Sequence, residues 1–262
     1  MKIPRQMIIL VSVIFISSCK KVIQVDLNNA PTQIVIVGEI TDTTGPYQVK
    51  ISQSVPFDSS NHFPPVSGAF VTISDNSRGQ TDTLTESDPG IYNSHFLQGV
   101  SGNVYALNVV IGNNHYDASS IMPHPVPFDS IGFQNTFAFG GKRVISAIPY
   151  FQDPPELTNY YQFIEYINGE KRNKTFVFDD RLSDGKYFSR PLRDDSAHLQ
   201  IGDNLLINMY CIDKNTFDYL NTFDQLSDID NSTPANPVSN ISNGALGYFS
   251  AHTVKTKQVA VH

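Results

Sequence analysis

Tyr105–Ile121 reads YALNVVIGNNHYDASSI, two runs rich in Val, Ile, Tyr and alternating small residues on either side of Gly112-Asn113-Asn114. Gly and Asn tolerate the positive φ that tight hairpins require, so the stretch reads as a β-hairpin with strands Tyr105–Ile111 and His115–Ile121 and its turn at Asn113-Asn114. The same pattern continues outward. Ile34–Ile40, Tyr47–Gln53, Ala69–Ser74, Thr81–Thr85 and Ile91–Phe96 are short and strand-like, bounded by turn clusters such as Thr44-Gly45-Pro46 and Asp88-Pro89-Gly90. β-Branched and aromatic residues suit a pleated, half-buried surface, and Gly, Pro, Asn and Asp end it. Seven such strands at this spacing predict a β-sandwich over residues 31–122.

Met122-Pro123-His124-Pro125-Val126-Pro127 places prolines at alternate positions. Proline fixes φ and removes a ladder donor, so this segment reads as an extended connector and a domain boundary. Beyond it, Ser130–Gln134, Arg143–Phe151, Asn159–Asn168, Lys174–Phe178, Leu199–Asp213 and Gly247–Val261 are again strand-like, which makes residues 128–262 a second mainly-β domain. Asn204–Ile212 is nearly continuously apolar and reads as a central strand covered on both faces. One helix interrupts the pattern. Asn215 is placed to cap it, and Phe217, Leu220, Phe223 and Leu226 recur as an apolar stripe expected to face a sheet. The fold class is therefore all-β with one short helix.

The first residues carry an address. Lys2 and Arg5 precede the uncharged run Met7–Ile16, and Ile16-Ser17-Ser18-Cys19 closes it. An apolar run of about ten residues is too short for a bilayer, which needs roughly 20, but it suits a secretory signal. The closing residues resemble the lipobox of bacterial lipoproteins, which implies a signal peptide over 1–18, lipidation (palmitate included) at Cys19, and a tether over 19–30. Several acyl chains together make a lasting anchor where one does not.

Composition excludes several classes. Removing residues 1–18 takes away Lys2 and Arg5 and no acid, so the formal charge moves from −7 to −9. Nucleic acid or an anionic membrane surface would call for clustered Lys and Arg, so neither is an expected partner; membrane attachment runs through the lipid. With Cys19 lipidated, Cys211 has no disulfide partner and reads as a small core residue. The histidines have no zinc-like spacing, and no Gly-x-Ser-x-Gly elbow or phosphate-binding glycine loop occurs. No catalytic residue, metal or cofactor is assigned. Asp180, Ser183 and Asp184, or Asp228, Asp230 and Asn231, offer oxygen ligands in turns but lack the length and terminal glutamate of a calcium loop. Tyr160 and Tyr166 alternate onto one strand face and Tyr161 onto the other, splitting that aromatic cluster. Two loops stand out as candidate binding surfaces: Asn61–Pro65, with His62 and Phe63, and Asn231–Asn243, with Asn231, Asn236 and Asn240. Long irregular connections without their own secondary structure are often functional.

Val35-x-Val37-Gly38-Glu39-Ile40, Gly45-Pro46-x-x-Val49, Val66-x-Gly68-Ala69, Gly90-Ile91-Tyr92 and, most specifically, Asn236-Pro237-x-Ser239-Asn240-Ile241-x-Asn243-Gly244-Ala245-Leu246-Gly247-Tyr248-Phe249 resemble the Bacteroidota lipoprotein family of domain of unknown function 4249. The first half is also similar to immunoglobulin-like and prealbumin-like sandwiches. The resemblance implies a non-catalytic outer-membrane lipoprotein, accessory to a TonB-dependent receptor or capturing its ligand, with a stand-alone glycan- or peptide-binding adhesin as the alternative and a hydrolase as a third. The leader Lys20-Lys21-Val22-Ile23 lacks an acidic tract, which leaves periplasmic and surface faces both open.

Overall fold

A computed structural model describes residues 31–56, 62–137, 141, 143–194, 198–227 and 236–262; Cys19 and Asn231 lie outside these. Residues 32–262 form one compact unit of mostly β structure. In chain order the strands are β1 (Ile34–Thr41), β2 (Gln48–Gln53), β3 (Phe70–Asp75), β4 (Gln80–Thr83), β5 (Thr85–Asp88), β6 (Ile91–Asn93), β7 (Val104–Ile111), β8 (Asn114–Ile121), β9 (Ser130–Phe137), β10 (Arg143–Gln152), β11 (Tyr160–Ile167), β12 (Glu170–Asp179), β13 (Tyr187–Phe188), β14 (Asn204–Ile212) and β15 (Leu246–Ala260). Helix α1 (Lys214–Ser227) lies between β14 and β15. Among the described residues three sheets result: β12-β11-β14-β15-β1-β2-β6-β5, β4-β3-β7-β8, and β13-β10-β9.

β15 is long enough to serve both halves. Its first part, Leu246–His252, pairs in parallel with β1, and its second, Thr253–Ala260, pairs antiparallel with β14. The sequence reading assigned this strand to the second half alone. Its first part instead contributes Phe249 and Ala251 to a core built from Ile36, Ile40, Val49, Ile73, Tyr92, Tyr105 and Leu107. A second core gathers Phe151, Tyr161, Phe163, Phe188, Leu205, Ile207 and Met209. Here the rings of Phe151 and Phe188 stack at 4.7 Å, an arrangement that adds to simple burial. The Met122–Pro127 connector runs between them, with Met122 in the first core and Val126 in the second.

Four local expectations are corrected. The β7–β8 turn is Gly112-Asn113, because Ile111 pairs with Asn114; Gly112 takes φ 58°, which leaves Asn114 free to join the ladder. The helix is capped by Asp213, whose Oδ1 accepts the Thr216 N–H at 2.9 Å, rather than by Asn215. In α1, Phe217 is buried but Phe223 is 53% exposed. Three residues turn a helix by only about 300°, so a strict three-residue repeat slips about 60° per step and wraps off the buried face. Tyr219 takes the place at the sheet, its ring 4.8 Å from Tyr248. Finally, β14 is central but not covered on both faces: Leu205, Ile207, Met209 and Cys211 are buried while Leu206, Asn208 and Tyr210 are half-buried. Cys211 is a free, buried thiol, and burial pushes it up from its ordinary pKa, as suits a core residue.

Candidate functional site

The connection between β1 and β2 is built around Tyr47. Its hydroxyl donates to the Thr41 carbonyl at 2.9 Å and accepts the Gly99 N–H at 3.3 Å, while its own N–H donates to Ser94 Oγ at 2.8 Å. Burial, the dominant influence, pushes the phenol above its ordinary pKa, so it stays neutral and keeps donating. The Thr43–Pro46 loop is thus fixed from beneath. It carries a cleft on either side.

The first cleft, about 460 Å³, is lined by Glu39 of β1, Thr43, Thr44 and Pro46 of the loop, Lys50 of β2 and Lys171 of β12. That volume falls in the range of about 300–1,000 Å³ typical of small-molecule sites. Glu39 alternates outward from the core-facing Gly38 and Ile40, and its Oε1 accepts the Tyr248 hydroxyl at 2.6 Å. Behind it the outer sheet face is polar and aromatic: Tyr210 meets His252 edge-on at 4.8 Å, and Ser250 Oγ lies 3.0 Å from His252 Nδ1. Burial holds His252 below the usual imidazole range, so it stands as a neutral ring at pH 7.

The second cleft, about 440 Å³, is lined by Pro46, Ser94, His95 and Phe96. His95 Nδ1 lies 3.2 Å from Asp82 Oδ1, and its Nε2 lies 3.0 Å from Thr85 Oγ1. A carboxylate, imidazole and hydroxyl in line have the outline of a nucleophile relay. Asp82, however, spends its other oxygen on three successive backbone N–H groups, of His95, Phe96 and Leu97, at 2.8–3.0 Å. That makes it the clamp of the 95–97 segment. Burial pushes the Asp82 carboxyl up, but the three amides and His95 outweigh it and hold the pKa below the ordinary value. Such a group stabilises the fold above its unfolded pKa and ceases to do so as pH falls through the folded one. Asp82→Asn is therefore expected to cost about 2 kcal/mol at pH 7, the worth of hydrogen bonds to a charged acceptor, with the difference shrinking in urea melts near pH 3. Equal losses at both pH values would contradict it.

A third group gathers Asp153, Asp180 and Asp184, whose carboxylate oxygens all lie within 4.8 Å of one another. Asp153 accepts from the Tyr161 hydroxyl and the Gly185 N–H, Asp180 from the Asn159 N–H at 2.6 Å, and Asp184 from the Glu156 N–H at 3.0 Å. Asp180 and Asp184 belong to the turn singled out from sequence, but Asp153, the residue that follows β10, replaces Ser183 as the third member. These are the described residues best placed to hold a cation. Their hydrogen bonds also tie the 153–159 and 180–186 turns together.

The Asn236–Phe249 segment has a different task. Asn240 accepts the Phe249 N–H at 2.9 Å and donates to the Phe249 carbonyl at 2.8 Å, and Ser239 Oγ donates to the Gly247 carbonyl at 2.9 Å. Asn243 takes φ 56°, Gly244 70° and Gly247 99°, so the motif is a fastening that aims β15 between β1 and β14. A family model for a domain of unknown function, DUF4249, matches residues 20–258 and so takes in this motif and nearly all of the described fold. The chain belongs to the DUF4249 family. No curated protein matches it.

In this DUF4249 chain the loop residues expected to bind are spread apart. His62 and Phe63 are exposed, Phe63 at 54%, but neither lines a described cleft. Asn236 donates to Gln33 Oε1 at 3.2 Å and Asn240 is consumed by Phe249. The Tyr160–Tyr166 alternation is as expected: Tyr161 is buried in the core and Tyr160 packs against Phe217 on the other face, the two rings tilted at 4.9 Å. Sequence reasoning missed Glu39, Lys50 and Lys171. Lys50 could be placed outward from the alternation in β2, but Lys171 comes from β12 at the edge of the same sheet, and only the finished fold brings it to this cleft.

Proposed function

We propose that this DUF4249 protein is a lipid-anchored outer-membrane lipoprotein of the Bacteroidota type, attached through Cys19, that acts as a ligand-capturing accessory of a TonB-dependent receptor. The observation that carries the ligand-capture part is the 460 Å³ cleft, open to solvent and built on paired strands, whose lining combines Glu39, Lys50 and Lys171 with threonine hydroxyls. A preformed polar cleft on paired strands suits binding and release of a ligand. The anchor rests on the Met7–Ile16 run and its closing Cys19. No helix among the described residues is long and apolar enough to cross a membrane.

The test is gentle detergent extraction of the native outer membrane with the protein tagged at its C-terminus. A β-barrel receptor should co-purify in stoichiometric amount, and Cys19→Ala should move the protein to the soluble fraction. Recovery of the protein alone, under conditions that keep other receptor complexes intact, would overturn the accessory role in favour of a stand-alone adhesin. A Cys19→Ala protein still in the membrane would remove the lipid anchor.

A further inference from the structure

We infer that the cleft between the Thr43–Pro46 loop, β2 and β12 binds an anionic saccharide, one carrying a carboxylate or sulfate as well as free hydroxyls. The inference deepens the ligand-capture reading and rests on it.

Lys50 and Lys171 line the cleft from β2 and β12, and neither is in ion-pair range of any described acidic group. In a chain of net charge −7, two unneutralised ammonium groups on one small cavity attract a negative ligand. Glu39 lies in the same cleft and is also solvent-exposed. A bare inorganic anion would meet its charge. A ligand with hydroxyl groups instead donates to that carboxylate while its acidic group meets the lysines. Thr43 and Thr44 add hydroxyls that both donate and accept, and Pro46 with Val37 supplies a small apolar area for the C–H face of a sugar ring. These groups are already held in place: Glu39 by the Tyr248 hydroxyl, and the loop by the Tyr47 hydroxyl at the Thr43 carbonyl. Little ordering is left for the ligand to impose, which favours a modest but specific site.

The probes are digalacturonate, a sulfated heparin disaccharide and neutral maltose, titrated calorimetrically into the purified soluble domain at low and at physiological salt. At least one acidic disaccharide should bind, with maltose roughly tenfold weaker or more, about one charge-assisted contact's worth. Which acid binds separates carboxylate from sulfate recognition. Lys50→Ala and Lys171→Ala should each weaken binding roughly tenfold, whereas Lys257→Ala, an exposed lysine outside the cleft, should leave it unchanged. Both replaced side chains are exposed, so melting temperatures should match the parent and report intact folding. Equal binding of maltose, equal loss in all three variants, or no binding of any probe at millimolar concentration would overturn the assignment. Receptor co-purification is read without these probes, so the accessory role and the saccharide site can fail separately.

Discussion

Gly247→Ala should lose about 4 kcal/mol or more of stability, enough to consume about a quarter or more of the roughly 5–15 kcal/mol that holds a typical domain together. Gly247 takes φ 99°, outside the range of ordinary side chains, and a Cβ there would lie 1.9 Å from the Ile36 carbonyl oxygen and 2.8 Å from its carbon. Strain at such a φ costs about 1–3 kcal/mol by itself. The overlap cannot be relieved by a side-chain rotation, because the obstacle is the backbone of β1. Ile36 and Gly247 are partners in the parallel β1–β15 ladder, and the same strand goes on to pair with β14, so a shift at this point opens the joint on which both halves lean. Gly244→Ala is the control: its φ is 70°, but nothing lies within 4 Å of the added carbon, so only the strain of about 1–3 kcal/mol applies. Urea melts of the two variants and the parent measure the difference. Equal losses for Gly244→Ala and Gly247→Ala would show that the close approach of β1 and β15 is not what requires glycine.

The same joint explains what was legible in the sequence. Strands such as β1, β7 and β8 were readable to within a residue because alternation and turn residues are local signals, and Cys211 was readable as core because it sits in an apolar run. That Leu246–Ala260 divides between two partners was not. A strand's period reports which residues share a face, and nothing in it reports which neighbour lies beside each part. The candidate site was less legible for the same reason. Asn240 looked like a binding residue because it lies in a long polar loop, yet its side chain closes two bonds on Phe249. Lys171 precedes the stretch Lys174–Phe178 that reads as a strand, and only the finished fold brings it to the cleft that Lys50 also lines. Asp82 was equally silent, since an isolated acid between threonines gives no sign that three amides of a later segment will converge on it.

Glu165→Gln should stabilise the protein by about 3 kcal/mol at pH 8 and by little at pH 4. Glu165 is on β11, on the face that carries Tyr161 and Phe163 into the second core, and is only 4% exposed. Its Oε1 has no hydrogen-bond partner among the described residues. Burial is the largest influence on it, the Asp194 carboxylate adds to that, and Arg172 of β12 opposes both; together they push its pKa up to about 7. Arg172 cannot do more because it is shared, its Nη2 lying 3.8 Å from Asp194 Oδ2. In the unfolded chain the same group titrates near 4.5. The folded state therefore binds the extra proton between about pH 4.5 and 7, and stability present below that window is lost as pH rises through it. A shift of this size corresponds to about 3 kcal/mol. Glutamine keeps the shape and cannot ionise, so it removes the loss, while titrating groups remote from Glu165, such as Asp82, contribute equally to both proteins and cancel in the comparison. Urea melts of parent and variant at pH 4 and pH 8 give the result. If the stability difference between them is the same at both pH values, Glu165 titrates as an ordinary carboxylate, and its charge is met in the folded protein by more than Arg172 supplies.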